Sequence, residues 1–306
     1  MKYEPISGRD LPRFSGIKTF FRLPHVEKTA DYDIGLIGVP FDGGLSYRPG
    51  ARFAPSHVRE ASSLGRGYNW ARGQHIWSQK KVADLGDMSI VPIDLAASHK
   101  KIEASAAELY SLNKKVIAVG GDHSITLPLM RAAFKKHGPL SMIHFDAHLD
   151  TYPPAWGVDY HHGTFARHVI EEGLADPKKS IQIGLRGPLV DENDLAFVKK
   201  TGLRATTVDD IRIGGLEKFL KELPSFQDRP TYITFDVDCL DPAFAPGTGT
   251  PVVGGLTTYE AQRILRALQI RHLVGGDVVE VSPAYDHGDI TALAAVDVLF
   301  ELLCLA

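Results

Sequence analysis

Apolar residues along this chain come in short runs, and most of the runs end on charge or glycine. The runs 33–39 (DIGLIGV), 81–87 (KVADLGD), 115–121 (KVIAVGG), 140–146 (LSMIHFD), 180–186 (SIQIGLR), 231–237 (TYITFDV) and 273–281 (LVGGDVVEV) are rich in β-formers, and a shorter one sits at 204–210 (RATTVDD). Helical periodicity fills the gaps at 54–64, 94–112, 125–137, 163–173, 215–224 and 257–269, and an apolar helix closes the chain. Strands apolar on both faces, alternating with helices, predict a parallel sheet covered on both sides. With right-handed crossovers this is an α/β fold, a three-layer αβα sandwich whose mostly parallel sheet has roughly eight strands. No linker divides the chain, so 1–306 is read as one domain, with the Pro-, Gly- and charge-rich residues 1–30 as an arm over its surface.

Polar groups gather where these strands end. GGDHS follows the third, DAHLD the fourth, DVDCLDP a later one and EVSP the last. In open parallel sheets, ligands bind beyond the carboxyl ends of the strands. Asp146, His148 and Asp150 stand two apart, and Asp236 and Asp238 repeat that spacing; an extended chain puts such residues on one face. His123 arrives from a Gly-Gly turn. A single DxHxD run is as well explained by a turn, but a second DxD and a strand-end His favour metal. Four carboxylates and two imidazoles exceed one four-ligand site and suit two ions with bridging carboxylates. The oxygen-rich set favours Mn(II)-like ions over zinc. Two ions about 3.5–4 Å apart can share a water and lower its pKa. Two divalent ions balance the four carboxylates, and a hydroxide leaves the core at about −1 by formal count, which suits a cationic or neutral electrophile. Glu280 adds a carboxylate at the same rim, able to hold a guanidinium or, alternatively, a protein Arg.

Bulk properties remove other classes. The 306 residues carry a net charge of −3, which gives no basic field for nucleic acid and no cationic face for a membrane. No apolar stretch reaches bilayer length, and the N-terminus lacks the apolar core of a secretory signal. Two cysteines, Cys239 and Cys304, are too few for a disulfide framework and fit a reducing, cytoplasmic setting. Cys239 is read as a core thiol, turned away from its acidic neighbours by strand alternation.

The motifs GGDHS, FDAHLD, HHGT, FDVDCLDP, GTGTPVVGGLT and GGDVVEVSPAYD resemble the ureohydrolase family of arginases, agmatinases and guanidino-acid hydrolases. The resemblance runs from about residue 33 to the C-terminus, and GVPFDGGLSYRPGARFAP (38–55) is similar to the agmatinase branch. It implies an arginase-like fold, two Mn(II) per chain (Ni or Co in some settings), a homotrimer or homohexamer, and release of urea from a guanidine. It implies that His123 and Asp150 bind one ion and His148 and Asp238 the other, with Asp146 and Asp236 bridging. It further implies that Asp150 handles a proton of the attacking water, His162 shuttles one to the leaving amine, and Glu280 orients the guanidinium. His161 is the neighbouring candidate for the shuttle.

Specificity is expected from the loop 151–162 (TYPPAWGVDYHH). Its aromatics Tyr152, Trp156 and Tyr160, with the acid Asp159, suit an ammonium tail and so favour agmatine, yielding putrescine and urea. The same loop can instead pack on a neighbouring subunit. A guanidino acid such as 4-guanidinobutyrate or 3-guanidinopropionate needs a basic partner, for which Arg48 and Arg52 are candidates unless acidic groups hold them. Guanidine itself or biguanides also fit the catalytic core. Three rivals from other classes stay in view. A catalytically silent regulatory subunit is opposed by the full ligand set. A single-zinc deacetylase needs fewer ligands. A binuclear phosphoesterase is opposed by the charge count and by the lack of a Lys/Arg cluster.

Overall fold

The computed structural model describes residues 3–189 and 191–306. Its eight-stranded sheet is parallel throughout. In chain order the strands are β1 (Ile34–Val39), β2 (Val82–Asp87), β3 (Lys115–Gly120), β4 (Ser141–Phe145), β5 (Ile181–Leu185), β6 (Arg204–Thr207), β7 (Thr231–Asp236) and β8 (Leu273–Val279). Across the sheet they run β2-β1-β3-β8-β7-β4-β5-β6. Alternation along each strand divides the core in two. Ile34, Leu36, Ile117, Val119, Ile143 and Phe145 face helices Ala54–Ala61, Thr258–Ala267 and Ile290–Leu305. Ile37, Val39, Val116, Ala118 and Met142 face helices Leu95–Ser111, Thr126–His137 and Phe165–Glu171. Helices on both faces of one parallel sheet complete the three layers.

The expected strands appear with their ends trimmed by a residue or two, except the one expected at 204–210. Residues 204–210 contain β6 only to Thr207; there a capping box between Thr207 and Asp210 starts helix Val208–Gly214. Asp94 and Thr257 cap their helices by accepting from Ala97 N and Glu260 N. Within the stretch read as a surface arm, Phe20, Phe21 and Leu23 are buried, and the backbone N–H of Phe20 donates to Asp84 at 2.8 Å. Apolar side chains in an otherwise polar stretch anchor it to the core. Cys239 is fully buried, as expected, but in a short 3-10 turn rather than a strand. Among the described residues no helix is long and apolar enough to cross a membrane.

Candidate metal centre and substrate cleft

Four neighbouring strands, β3, β8, β7 and β4, deliver the candidate residues to one rim. Three of their ends share a device. Asp122 Oδ1 accepts from Ser124 N at 2.9 Å, Asp146 Oδ1 from His148 N at 2.6 Å, and Asp236 Oδ1 from Asp238 N at 2.7 Å. Each carboxylate closes its own turn two residues on, which stops the strand and gathers the next side chains. Extended chain, expected to carry Asp146, His148 and Asp150, does not reach them. β4 ends at Phe145, and Asp146–Asp150 is a turn in which Asp150 takes a positive φ of 49°. The turn, not strand alternation, brings the three side chains together. Gly121 lies under the site because the chain passes the Phe41 carbonyl there; a Cβ would meet that oxygen at 1.7 Å.

His123 is fully buried, and its Nδ1 lies 3.1 Å from Asp146 Oδ2, 3.2 Å from Asp150 Oδ2 and 3.2 Å from Asp236 Oδ2. Yet Nδ1 makes no hydrogen bond. His148 Nδ1 lies 3.0 Å from Asp238 Oδ2 and 3.3 Å from Asp146 Oδ1. Asp146 therefore faces both imidazoles, Asp238 Oδ1 is fixed by Ala147 N at 3.0 Å, and Thr250 Oγ1 approaches Asp238 Oδ2 at 3.3 Å. Burial and neighbouring carboxylates push Asp150 and Asp236 above the ordinary carboxylate range. Packed acids, with an orphaned imidazole nitrogen among them, fit a cationic guest. Hard oxygen ligands with two imidazoles suit divalent ions. All six expected ligands meet here.

The sequence reading missed His144. It is buried in β4, two residues before Asp146 and on the same side of the strand, and its Nε2 lies 2.7 Å from Asp146 Oδ2. Gln182 Nε2 donates to Leu149 O at 2.6 Å and to His144 Nδ1 at 3.0 Å. Nδ1 thus accepts, Nε2–H donates, and His144 steadies Asp146. The i, i+2 spacing carried that signal, but a His inside an apolar run reads as core.

Beside the acids, Glu280 holds a positive φ of 65°, uncommon for a residue with a Cβ. Its Oε1 accepts from His123 N at 2.9 Å and lies 3.2 Å from His162 Nδ1; its Oε2 is buried without a partner. The other ring nitrogen of His162, Nε2, lies 2.7 Å from Ser46 Oγ. Burial works to lower the His162 pKa, but the Glu280 carboxylate outweighs it and pushes the ring up to about 9.

A cleft of about 470 Å³ opens over these groups, lined in part by Asp150, Asp236, Asp238, His148, His162 and Ser46. Tyr152, Trp156 and His161 form its outer wall. Trp156 and Gly157, both at positive φ, make the tip of a tight turn between Ala155 and Val158. Three of the candidate residues lie outside the cleft lining. The Asp159 side chain is exposed and does not line the cleft; its carbonyl instead accepts from His168 Nε2 at 2.9 Å. The turn at 155–158 reorients the chain before Asp159 is reached. Arg48 donates to Gly249 O at 2.9 Å and Thr248 O at 3.1 Å and stacks on Tyr285, while Arg52 is paired with Asp42. Neither arginine lines the cleft. Asp194, which the sequence did not single out, does.

Comparison with known proteins agrees with this geometry. The model of the arginase family matches residues 32–304. The guanidinopropionase of Pseudomonas aeruginosa is 45% identical over 99% of this chain and 95% of its own. The agmatinase of Proteus mirabilis is 44% identical over 90% of this chain and 88% of its own. The solved proclavaminate amidinohydrolase of Streptomyces clavuligerus superposes with a TM-score of 0.89 at 41% identity, covering 95% of this chain and 97% of that one. The chain belongs to the arginase family and is a ureohydrolase, a hydrolase of guanidino carbon–nitrogen bonds.

Proposed function

We propose that this protein hydrolyses a small linear guanidine to urea and an amine, with agmatine as its first substrate and two Mn(II) ions as its cofactor. His123 and Asp150 would hold one ion, His148 and Asp238 the other, and Asp146 and Asp236 would bridge them. The observation that carries this reading is the unpaired His123 Nδ1 among three carboxylates, beside the His162–Glu280 pair, behind a cleft that Asp150, Asp236 and His162 line. When bound, such a pair of ions supplies a water deprotonated near neutral pH.

The chain's own residues do the rest. Glu280 Oε2, buried and without a partner, accepts guanidinium N–H groups and turns the planar carbon toward the acids. Asp150 accepts a proton at its carboxylate. His162, paired with Glu280, faces the cleft wall, where a leaving amine needs a proton. The cleft, narrowed by Tyr152 and Trp156, orients the substrate so that little freedom is lost at the reaction step.

For the tail, agmatine is supported by the charge of the lining. No Lys or Arg side chain lines the cleft among the described residues, and Asp194 is part of the lining. The aromatic faces of Tyr152 and Trp156 suit an ammonium. One observation favours a guanidino acid as a second reading, the 45% identity to a guanidinopropionase. Urea release from agmatine, arginine, 4-guanidinobutyrate, 3-guanidinopropionate and guanidine decides between them. Agmatine is expected to have the highest kcat/KM; a faster guanidino acid would overturn the tail assignment, and no urea from any of them would overturn the substrate reading.

A further inference from the structure

Behind His123, away from the cleft, runs a closed set of polar groups. Thr126, Thr234, Asp277 and Tyr232 are all buried, with at most 1% of any one exposed. Asp277 stands at their centre. Thr234 Oγ1 donates to Asp277 Oδ1 at 2.5 Å, Tyr232 Oη to Oδ2 at 2.8 Å, and Thr126 Oγ1 to Oδ2 at 3.0 Å. A carboxylate only accepts, and each hydroxyl has a single proton. The proton of Thr234 is thus committed to Asp277. Its oxygen, 2.8 Å from His123 Nε2, is left to accept. The ring must then carry a proton on Nε2.

We infer that Asp277 is a positioning residue: acting through Thr234, it holds the proton of His123 on Nε2 and so presents Nδ1 to a metal ion. The opposite tautomer costs two bonds at once. With the proton only on Nδ1, Thr234 would have to turn its O–H toward Nε2, and Asp277 would lose its shortest bond in a place no water reaches. Three elements meet in this device: Thr234 and Tyr232 lie on β7, Asp277 on β8 and Thr126 opens helix Thr126–His137. The strand ends that make the cluster and the proton that readies its deepest nitrogen are therefore fixed by the same bonds. Outer partners of this kind set the orientation and basicity of ligating histidines.

The inference rests on the reading that the cluster holds divalent ions, and two measurements keep the failures apart. First, NMR of the metal-stripped protein with ¹⁵N-labelled histidine, at a pH high enough that the His123 ring is neutral, reports which nitrogen of His123 carries hydrogen. A protonated Nε2 is expected; a bare Nε2 overturns the inference, whether or not metal binds. Second, Mn(II) titration compares the wild type with Thr234→Val, which keeps the shape and loses the hydroxyl, and Thr234→Ser, which keeps the hydroxyl. The valine variant is expected to bind one of two ions about 10–100-fold more weakly, with serine restoring it. Equal affinities in valine variant and wild type, or equal loss in valine and serine variants, would reduce Asp277 to a structural tie. If the valine variant does not fold, the NMR result alone decides. If the wild type takes up no Mn(II), the metal reading falls, and the position of the proton still judges the link from Asp277 to His123.

Discussion

Glu280 shows what one residue does when its backbone and side chain are both constrained. Its backbone holds a positive φ, and of its carboxylate oxygens one is shared by His123 N and His162 while the other is buried without a protein partner. Substituting Glu280→Gln keeps the size and one acceptor but removes the charge. A hydrogen bond to a charged group contributes about 1.5–3 kcal/mol, so kcat/KM is expected to fall about tenfold to a hundredfold, with little change in thermal stability. Steady-state kinetics and a melting curve check this; unchanged kcat/KM would separate Glu280 from substrate. At this scale the gathering of Asp and His side chains was legible because such residues at strand ends have few other reasons to cluster. His144 was not, because its neighbours in IHFD make it look like packing. Asp159 misled for the converse reason: residue type was right for an ammonium, but direction depends on a turn three residues earlier.

The loop 151–162 is held from behind by helix Leu95–Ser111. His99 on that helix is buried and lies 5.4 Å, ring to ring, from Tyr160. Burial, assisted by the nearby Arg131 charge, holds the His99 imidazole down at about 3 from an ordinary 6.5. In the unfolded chain the ring protonates near 6.5, while in the folded chain it stays neutral until far lower pH. The stabilisation is therefore complete above pH 6.5 and is lost progressively as pH falls toward 3. Denaturant midpoints measured down to about pH 5 should fall for the wild type and fall less steeply for His99→Phe, in proportion to the protons the unfolded ring takes up. Parallel slopes would show that His99 does not carry the effect. Strands and helices were readable element by element, since apolar alternation and the caps Asp94 and Thr257 are local signals. β6 ran long in the sequence because RATTVDD has strand composition throughout; only the Thr207–Asp210 capping box ends it.

At the scale of the molecule, the site exists because the sheet places β3, β8, β7 and β4 side by side, although they are far apart in sequence. Their ends bring mutually repelling carboxylates together, and burial with neighbouring charge raises Asp150 and Asp236. Ions that bind only the folded chain stabilise it by about 4 kcal/mol each at a thousandfold excess over Kd. Calorimetry after chelation should show a lower Tm that Mn(II) restores; an unchanged Tm would mean that ions do not bridge these strand ends. What the sequence by itself determined is whatever is written in local spacing: the parallel three-layer fold, and the Asp, His and Glu side chains carried to one rim at the strand ends. Hydrophobic period and strand-end chemistry are properties of short segments, and a segment keeps them wherever it lies. What only the tertiary structure decided is how side chains meet across segments: His144 on Asp146, Asp277 behind His123, Asp194 in the cleft and Asp159 out of it. Those relations depend on strand order and turn direction, which arise from the packing of the whole chain.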